Sequence, residues 1–192
     1  MLTVVVLISG SGTNLQALLK ATDNPLYPAK IVAVGADNDA PGLLHAELHE
    51  VDTFVVEPGR FNSREAWAEI LLASVQHHQP DLVVLAGFMR ILPANFVNAL
   101  KGKLINTHPS LLPLYPGAHA VRDALAAKAT VTGVTIHKVD EGVDTGEIIV
   151  QRPVAIEVND SEASLHERIK GVEREFLVQC VEDIALKIIV LA

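Results

Sequence analysis

Apolar and polar residues alternate along the chain in two patterns. Short runs rich in Val, Ile and Leu predict β-strands at residues 3–9, 30–36, 53–57, 81–86 and 103–107. Between these runs, apolar residues recur at intervals of three or four, which is typical of helices that cover a sheet with one face. Strands that alternate with helices in this way predict a doubly wound α/β fold with right-handed crossovers.

The pattern changes in the last third of the chain. Residues 131–139 and 147–152 predict two further strands joined by a loop. Apolar residues at helical spacing, from Leu165 to Ile184, then predict a long closing helix. The sequence contains no internal repeat and no linker rich in Pro or Ser, so we expect residues 1–192 to form a single domain.

One helix start can also be predicted. The apolar face that contains Trp67 and Leu71 is preceded by Asn62, and Glu65 follows three positions later. This spacing resembles a capping box, so we expect the helix to begin at Asn62.

The composition agrees with such a fold. Apolar residues make up 49% of the chain but aromatic residues only 4%, so Val, Leu, Ile and Ala must build the core. This composition favours buried parallel strands covered by helices. The chain has 15 basic and 23 acidic side chains and a net charge of −8. That balance argues against a general nucleic-acid binder, since phosphate contacts need a basic surface.

Cysteine usage and hydropathy indicate the class of protein. The single cysteine, Cys180, cannot form an intrachain disulfide or a zinc site built from cysteines. No Lys or Arg precedes the apolar run at residues 2–8, so we expect no signal peptide. No apolar stretch approaches the roughly 20 residues of a membrane helix. We therefore expect a cytoplasmic protein that binds neither a membrane nor nucleic acid.

The loop after the first predicted strand, residues 9–14, has the sequence Ser-Gly-Ser-Gly-Thr-Asn and opens a helix. Free N–H groups at a helix start, beside glycines that allow close approach, suit a phosphate. A dinucleotide fingerprint would have glycine where this chain has Leu15, which argues against Asp37 as a ribose-binding acid. We predict a site for a phosphate or another small anion, and a tight turn without a ligand is the alternative.

Asn106 and His108 lie where the fifth predicted strand ends. Ligands of open α/β sheets bind beyond the carboxyl ends of strands, and residues two apart in a strand project to the same side. An amide donor beside an imidazole can stabilise an oxyanion during acyl transfer. A loop-capping Asn and a surface His are the alternative interpretation.

A loop with three acids and two glycines, residues 139–146, joins the last two predicted strands. A carboxylate of this loop close to His108 would favour the cationic imidazole, although an ordinary acidic turn is the alternative. His45 and His49 lie four apart on a predicted helix, and we interpret them as a solvated face because the zinc-protease pattern is absent. We predict no metal site.

Four segments of the chain carry a resemblance to a known family. They are residues 10–16 (GSGTNLQ), 85–92 (LAGFMRIL), 106–117 (NTHPSLLPLYPG) and 140–146 (DEGVDTG). In this order, and over nearly the whole chain, they resemble the phosphoribosylglycinamide formyltransferase family. The resemblance implies a three-layer α/β/α fold whose seven-stranded, mostly parallel sheet contains one antiparallel strand.

The resemblance also implies an activity. Members of the family transfer the formyl group of 10-formyltetrahydrofolate to the amino group of glycinamide ribonucleotide, giving formylglycinamide ribonucleotide and tetrahydrofolate in purine biosynthesis. The formyl donor is a co-substrate, and no metal is implied. We expect small-molecule partners only and leave open whether the protein is a monomer or a homodimer.

By motif position, the resemblance assigns site residues. Asn106, His108 and Asp144 match the catalytic residues. Gly12, Thr13, Asn14 and Glu173 match residues that bind the nucleotide. The residues that match the folate-binding positions are Arg64, Met89, Arg90, Ile91, Leu92, Asn106, Asp140, Glu141, Gly142, Val143 and Asp144. The segment 170–172 departs from the Gln-rich form of some members, so its contacts are not carried over.

Three other functions share parts of this pattern. A formyltetrahydrofolate hydrolase should have an additional N-terminal regulatory domain, and methionyl-tRNA formyltransferase should have an additional C-terminal domain and a basic surface. The net charge of −8 argues against the tRNA enzyme. A non-catalytic nucleotide-binding module is the third alternative, and the presence of Asn106, His108 and Asp144 together argues against it.

Overall fold

The computed structural model describes residues 1–191. The strands are β1 (Leu2–Ile8), β2 (Ala29–Ala36), β3 (Asp52–Val55), β4 (Leu82–Leu85), β5 (Leu104–His108), β6 (Val131–Lys138) and β7 (Ile148–Ala155). The α-helices are α1 (Thr13–Thr22), α2 (Leu43–Leu48), α3 (Arg64–His77), α4 (Ala94–Ala99), α5 (Ala120–Ala126) and α6 (Glu162–Ala185). A single 3-10 turn, Pro58–Arg60, precedes α3.

The strands form one seven-stranded sheet in the order β3-β2-β1-β4-β5-β6-β7. All neighbouring pairs from β3 to β5 are parallel, whereas β6 is antiparallel to both β5 and β7. The predicted sheet with one antiparallel strand is therefore confirmed. The chain leaves β1 toward β2 on one side and later returns to β4 on the other, which creates a switch point where parallel strands end.

Two hydrophobic clusters cover the two faces of the sheet. Along β1, Val4, Val6 and Ile8 contact one cluster, which contains apolar residues of α1, α2, α5 and α6. Val5 and Leu7 point to the opposite cluster, which contains residues of α3 and α4. The alternation follows from the two-residue period of a strand, and it gives the predicted three layers.

The start of α3 differs from the sequence prediction. The N-cap is Ser63, not Asn62: Ser63 has extended backbone angles, and its Oγ accepts the N–H of Ala66 at 3.1 Å. The prediction that the helix begins at Asn62 was wrong, because a serine one position later can cap the same turn. The long closing helix is confirmed as α6, which starts with a capping box between Ser161 and Ser164. Within residues 1–191, none of the helices has the length and apolar character needed to cross a bilayer.

Candidate active site

A cavity of 420 Å³ opens at the carboxyl ends of β4 and β5, beside the switch point of the sheet. Residues 87–92, which follow β4, form one wall, and Gly142, Val143 and Asp144 contribute to another. The end of β5 lies between them and contributes Asn106 and His108. The cavity therefore brings three separate segments of the sequence to one place.

Asn106, His108 and Asp144 meet at this cavity. The Nδ1 atom of His108 lies 3.3 Å from Oδ2 of Asp144, and Nδ2 of Asn106 lies 3.5 Å from Oδ1 of the same carboxylate. Asn106 and His108 share one side of β5, as their spacing predicts. The intervening Thr107 points to the opposite side, where its hydroxyl donates to Glu173 at 2.7 Å.

Both ring nitrogens of His108 have oxygen neighbours. The residue is 4% exposed, and its Nε2 lies 2.8 Å from the carbonyl oxygen of Tyr115, which can only accept a hydrogen bond. Its Nδ1 faces the Asp144 carboxylate, which also accepts. Because both neighbours are oxygen acceptors, each of these contacts is a hydrogen bond only when the ring nitrogen that makes it carries a proton.

The Asp144 carboxylate remains ionised in spite of its burial. Burial acts to raise the pKa of Asp144, but contact with His137, a hydrogen bond from the Gly117 N–H at 2.7 Å and the charge of His108 outweigh it. The pKa of Asp144 therefore lies below its ordinary value. Asp144 also has a φ of 54°, a left-handed conformation that Asp tolerates better than most residues.

His137 is a site residue that the sequence analysis missed. Its Nδ1 lies 2.8 Å from the carbonyl oxygen of Lys138, and its Nε2 lies 3.1 Å from Nδ2 of Asn106. The same Nε2 lies 3.6 Å from Oδ1 of Asp144. Since His137 is paired with Asn106 in the β5–β6 ladder, the antiparallel register was the signal that could have identified it.

The loop that closes over His108 is fixed to β6 through one hydroxyl. Thr135 Oγ1 donates to the carbonyl oxygen of Ser110 at 2.7 Å and accepts from the N–H of Leu112 at 3.0 Å. Gln151 Nε2 donates to the same hydroxyl at 2.9 Å. These bonds hold the segment that presents the carbonyl of Tyr115 to His108.

The predicted anion loop, residues 9–14, leads into α1. Gly12 has a φ of 68°, and a Cβ added there would lie 3.0 Å from the Cα atom of Gly42. Glycine is therefore needed both for the backbone angle and for the close approach. Thr13 begins the helix. Asn14 is 7% exposed, and its Oδ1 has no hydrogen-bond partner within the described residues.

The residues expected to bind folate differ in their exposure and in their contacts. Met89 and Ile91, which line the cavity, are 73% and 58% exposed, so apolar surface faces its mouth. Leu92 also lines the cavity but is buried. Arg64 donates to the carbonyl oxygen of Ile91 at 2.6 Å. Arg90 pairs with the buried Asp37, which gives that acid a partner within the protein.

Residues of the acidic loop, 139–146, form hydrogen bonds with one another. Asp140 Oδ1 accepts from the N–H of Gly142 at 3.0 Å and from the hydroxyl of Thr145 at 2.7 Å. Glu141 accepts from Asn98 Nδ2 at 2.8 Å and does not line the cavity. The loop thus turns Val143 and Asp144 inward and Glu141 toward α4.

His45 on α2 and His49, the C-cap residue of that helix, have a local contact. His49 Nδ1 lies 2.8 Å from the carbonyl oxygen of His45. In the part of the chain that the structure describes, residues 1–191, no group of three or more His, Cys, Asp or Glu side chains could hold a metal ion.

Comparison with known proteins supports one family. A family model described as formyl transferase matches residues 2–181. A phosphoribosylglycinamide formyltransferase of Mycobacterium tuberculosis is 47% identical over 182 residues, which are 95% of this chain and 84% of the relative. The Drosophila melanogaster trifunctional purine biosynthetic protein adenosine-3 is 44% identical over 88% of this chain and 13% of its own length.

A solved structure agrees with these relatives. Glycinamide ribonucleotide transformylase 1 from Symbiobacterium toebii superposes with a TM-score of 0.94 at 38% identity, over 97% of this chain and 89% of that one. The identity and coverage are high enough to show family as well as fold. This chain belongs to the formyl transferase family.

Proposed function

We propose that this protein transfers the formyl group of 10-formyltetrahydrofolate to the amino group of glycinamide ribonucleotide, a step of purine biosynthesis. The single observation that carries the proposal is the meeting of Asn106, His108 and Asp144 in one cavity. Relatives named phosphoribosylglycinamide formyltransferase, at 47% identity, support the choice of substrate.

The nucleotide is expected to bind beside the start of α1. Its phosphate accepts hydrogen bonds from N–H groups of Gly12, Thr13 and Asn14, since a helix start favours an anion. The unpartnered Oδ1 of Asn14 is then available to a ligand donor. Glu173, held by Thr107, accepts from the ribose hydroxyls.

The formyl donor is expected to occupy the cavity itself. The apolar side chains of Met89, Ile91 and Val143 cover the aromatic part of the folate, and the backbone of residues 90–92 and 140–144 bonds to the pterin edge. Arg64, exposed at the start of α3, pairs with the carboxylate of the glutamate tail. Asp140 and Glu141 shape the loop on the far side.

The proposed chemistry is an acyl transfer through a tetrahedral intermediate. The neutral amine of the nucleotide attacks the formyl carbon, and the carbonyl oxygen becomes an oxyanion. Asn106 Nδ2 and the cationic His108 stabilise that oxygen, so the scheme uses no metal. In the free protein both protons of His108 point at protein oxygens, so one of them must turn to the formyl oxygen when the substrates bind.

One proton has to move before the intermediate collapses. The attacking nitrogen loses a proton, and the folate nitrogen N10 gains one as its bond to the formyl carbon breaks. Asp144, through a bridging water, or His108 carries the proton between the two nitrogens. The products are the formylated nucleotide and tetrahydrofolate. A covalent formyl-enzyme is not part of the scheme, because no activated nucleophile lines the cavity.

Further expectations accompany this function. We propose that residues 1–192 act as one formyltransferase domain, that the partners are small molecules and that the protein works in the cytoplasm.

The decisive experiment follows the absorbance of tetrahydrofolate release with and without glycinamide ribonucleotide. Turnover that requires the nucleotide supports the proposed function. Turnover without the nucleotide supports a hydrolase instead. Binding of both ligands with no turnover under either condition supports a binding module.

A further inference from the structure

A buried acid outside the catalytic cluster is connected to the wall of the cavity. We name residues 87–92 the donor loop and residues 9–14 the phosphate loop. Asp37 follows β2 directly, and its side chain is 2% exposed. One of its carboxylate oxygens accepts the Nε–H of Arg90 on the donor loop. The other accepts from Asn38 Nδ2 at 2.9 Å.

The same network reaches the phosphate loop. Asn38 Nδ2 also donates to the carbonyl oxygen of Ser9 at 3.1 Å. Ser9 in turn accepts the N–H of Met89 through its hydroxyl at 2.8 Å and donates its own N–H to Gly87 at 3.1 Å. The donor loop is therefore tied to the end of β1 through backbone and hydroxyl bonds, and to the end of β2 through Asp37.

The two partners of the ion pair differ in how firmly they are held. Asp37 is fixed against the sheet, whereas the Arg90 side chain is 49% exposed. When the Asp37 charge is removed, the half-exposed Arg90 guanidinium can turn to water, and the link between the donor loop and the end of β2 is lost. The exposed donor loop, rather than the sheet, is then the element that moves.

We propose that Asp37 is a positioning residue for the formyl donor, which acts through Arg90 to hold the donor loop in its binding conformation. Asp37 does not line the cavity and touches no reacting atom in the scheme above. The proposal rests on the proposed function and adds to it a determinant of donor affinity that lies between the two substrate regions.

The first test compares Asp37→Asn with wild type. The amide keeps the shape and can still accept from Arg90, but it loses the charge. We expect the KM and the Kd for 10-formyltetrahydrofolate to rise about tenfold, in line with one weakened charge-assisted hydrogen bond. The KM for glycinamide ribonucleotide and kcat should stay within about twofold of wild type. Asp123→Asn, which removes an exposed acid paired with Arg122 at 3.5 Å, is the matched control and should change neither constant.

A second test asks whether Asp37 acts through Arg90. Arg90→Gln should raise the donor Kd to a similar extent. The double variant should have the same Kd as either single variant, because both changes break the same Asp37–Arg90 contact. A readout without ligand is hydrogen exchange at the Met89 N–H, which should become faster in Asp37→Asn while exchange in β2 is unchanged. The emission of Trp67, the single tryptophan, should also shift, since its ring stacks on Phe88 of the donor loop at 6.3 Å.

Several outcomes would overturn the proposal. An unchanged donor Kd in Asp37→Asn, equal losses for both substrates, or additive effects of Asp37→Asn and Arg90→Gln would each assign Asp37 a structural role only. These outcomes are distinct from a failure of the proposed function. A wild-type protein that binds the donor but transfers nothing to the nucleotide refutes the function, while the Kd and exchange measurements still decide the role of Asp37.

Discussion

Two carboxylates of this protein whose pKa values are lowered are held in different ways. Asp160, which precedes α6, binds both Nη atoms of Arg168 at 2.6 and 2.9 Å, and the N–H of Glu157 and the hydroxyl of Ser164 at 2.8 Å each. Asp144, in the cavity, has one short bond, from Gly117 at 2.7 Å. Its remaining contacts, to His108, Asn106 and His137, are between 3.3 and 3.6 Å long.

The difference separates a structural acid from the acid that we propose takes part in the reaction. Hydrogen bonds from Arg168 hold the pKa of Asp160 well below its usual range, and all its lone pairs have close partners. Burial acts to raise the pKa of Asp144, and the contacts with His137, Gly117 and His108 lower it by more; all of these except the Gly117 bond are 3.3 Å or longer. A group with loose contacts can exchange them for substrate or water without a large loss. Full satisfaction of a polar group therefore indicates stability, and incomplete satisfaction near a cavity indicates function.

The largest expected effect is a loss of turnover when Asp144, most of whose contacts are long, is changed. Asp144→Asn keeps the side-chain shape but removes the negative charge that lies 3.3 Å from His108 Nδ1. We expect kcat for formyl transfer to fall by at least about 100-fold, the loss typical of a positioned acid–base group. Nucleotide affinity, measured by calorimetry, should stay within about threefold of wild type.

Asp140 provides the matched control for that variant. It lies in the same loop, but its contacts are to Gly142 and Thr145 and not to His108. Asp140→Asn should reduce kcat much less than Asp144→Asn does. Equal losses in the two variants would mean that the loop as a whole, and not the Asp144 charge, supports catalysis.

The second prediction extends the comparison to the nucleotide side. The buried Oδ1 of Asn14 has no partner, and such a group costs roughly 1–3 kcal/mol of stability. Asn14→Ala removes this cost, so the Tm should be equal to or above that of wild type. Affinity for glycinamide ribonucleotide, measured by titration calorimetry, should fall about tenfold because a ligand bond is lost. A lower Tm of Asn14→Ala together with an unchanged affinity for glycinamide ribonucleotide would contradict the hypothesis that the free Asn14 Oδ1 is reserved for a ligand.

The third prediction concerns Asp160, whose carboxylate oxygens all have close hydrogen-bond donors. Asp160→Asn removes the charge that Arg168 binds and weakens the link between the 157–160 turn and α6. We expect the Tm to fall by a few degrees, measured by calorimetry at neutral pH, with kcat and both KM values within about twofold of wild type. A large loss of activity without a change in Tm would remove the distinction drawn between the two acids.

Much of this architecture follows from local patterns in the sequence. The apolar runs identified the strands, because a buried parallel strand must be apolar on both faces. The spacing of Asn106 and His108 predicted a shared side, since side chains alternate along a strand. Asp144 could be named only by resemblance, because its approach to His108 depends on a loop between the last two strands.

What the sequence did not predict depends on register and on contacts between distant segments. His137 belongs to the site because the antiparallel pairing of β5 and β6 sets it opposite Asn106. The pairing of Asp37 with Arg90 joins residues 53 positions apart, and no local pattern marks it. The Ser63 cap was misassigned by one position, because Asn62 and Ser63 have similar capping preferences.

The smallest expected effect is the pH dependence that Asp160 gives to stability. A carboxylate whose pKa is lower in the folded than in the unfolded protein stabilises the fold above its unfolded pKa, about 3.9 for Asp. That stabilisation is lost as the pH falls toward the folded pKa. The difference in unfolding free energy between wild type and Asp160→Asn should therefore be constant from pH 7 to about pH 5 and shrink below about pH 4. Urea titrations of both proteins across this range measure this difference.

Asp81 and Asp144, whose pKa values are also lowered, remain in both proteins and cancel in the difference. A difference that grows as the pH falls would mean that folding does not lower the pKa of Asp160.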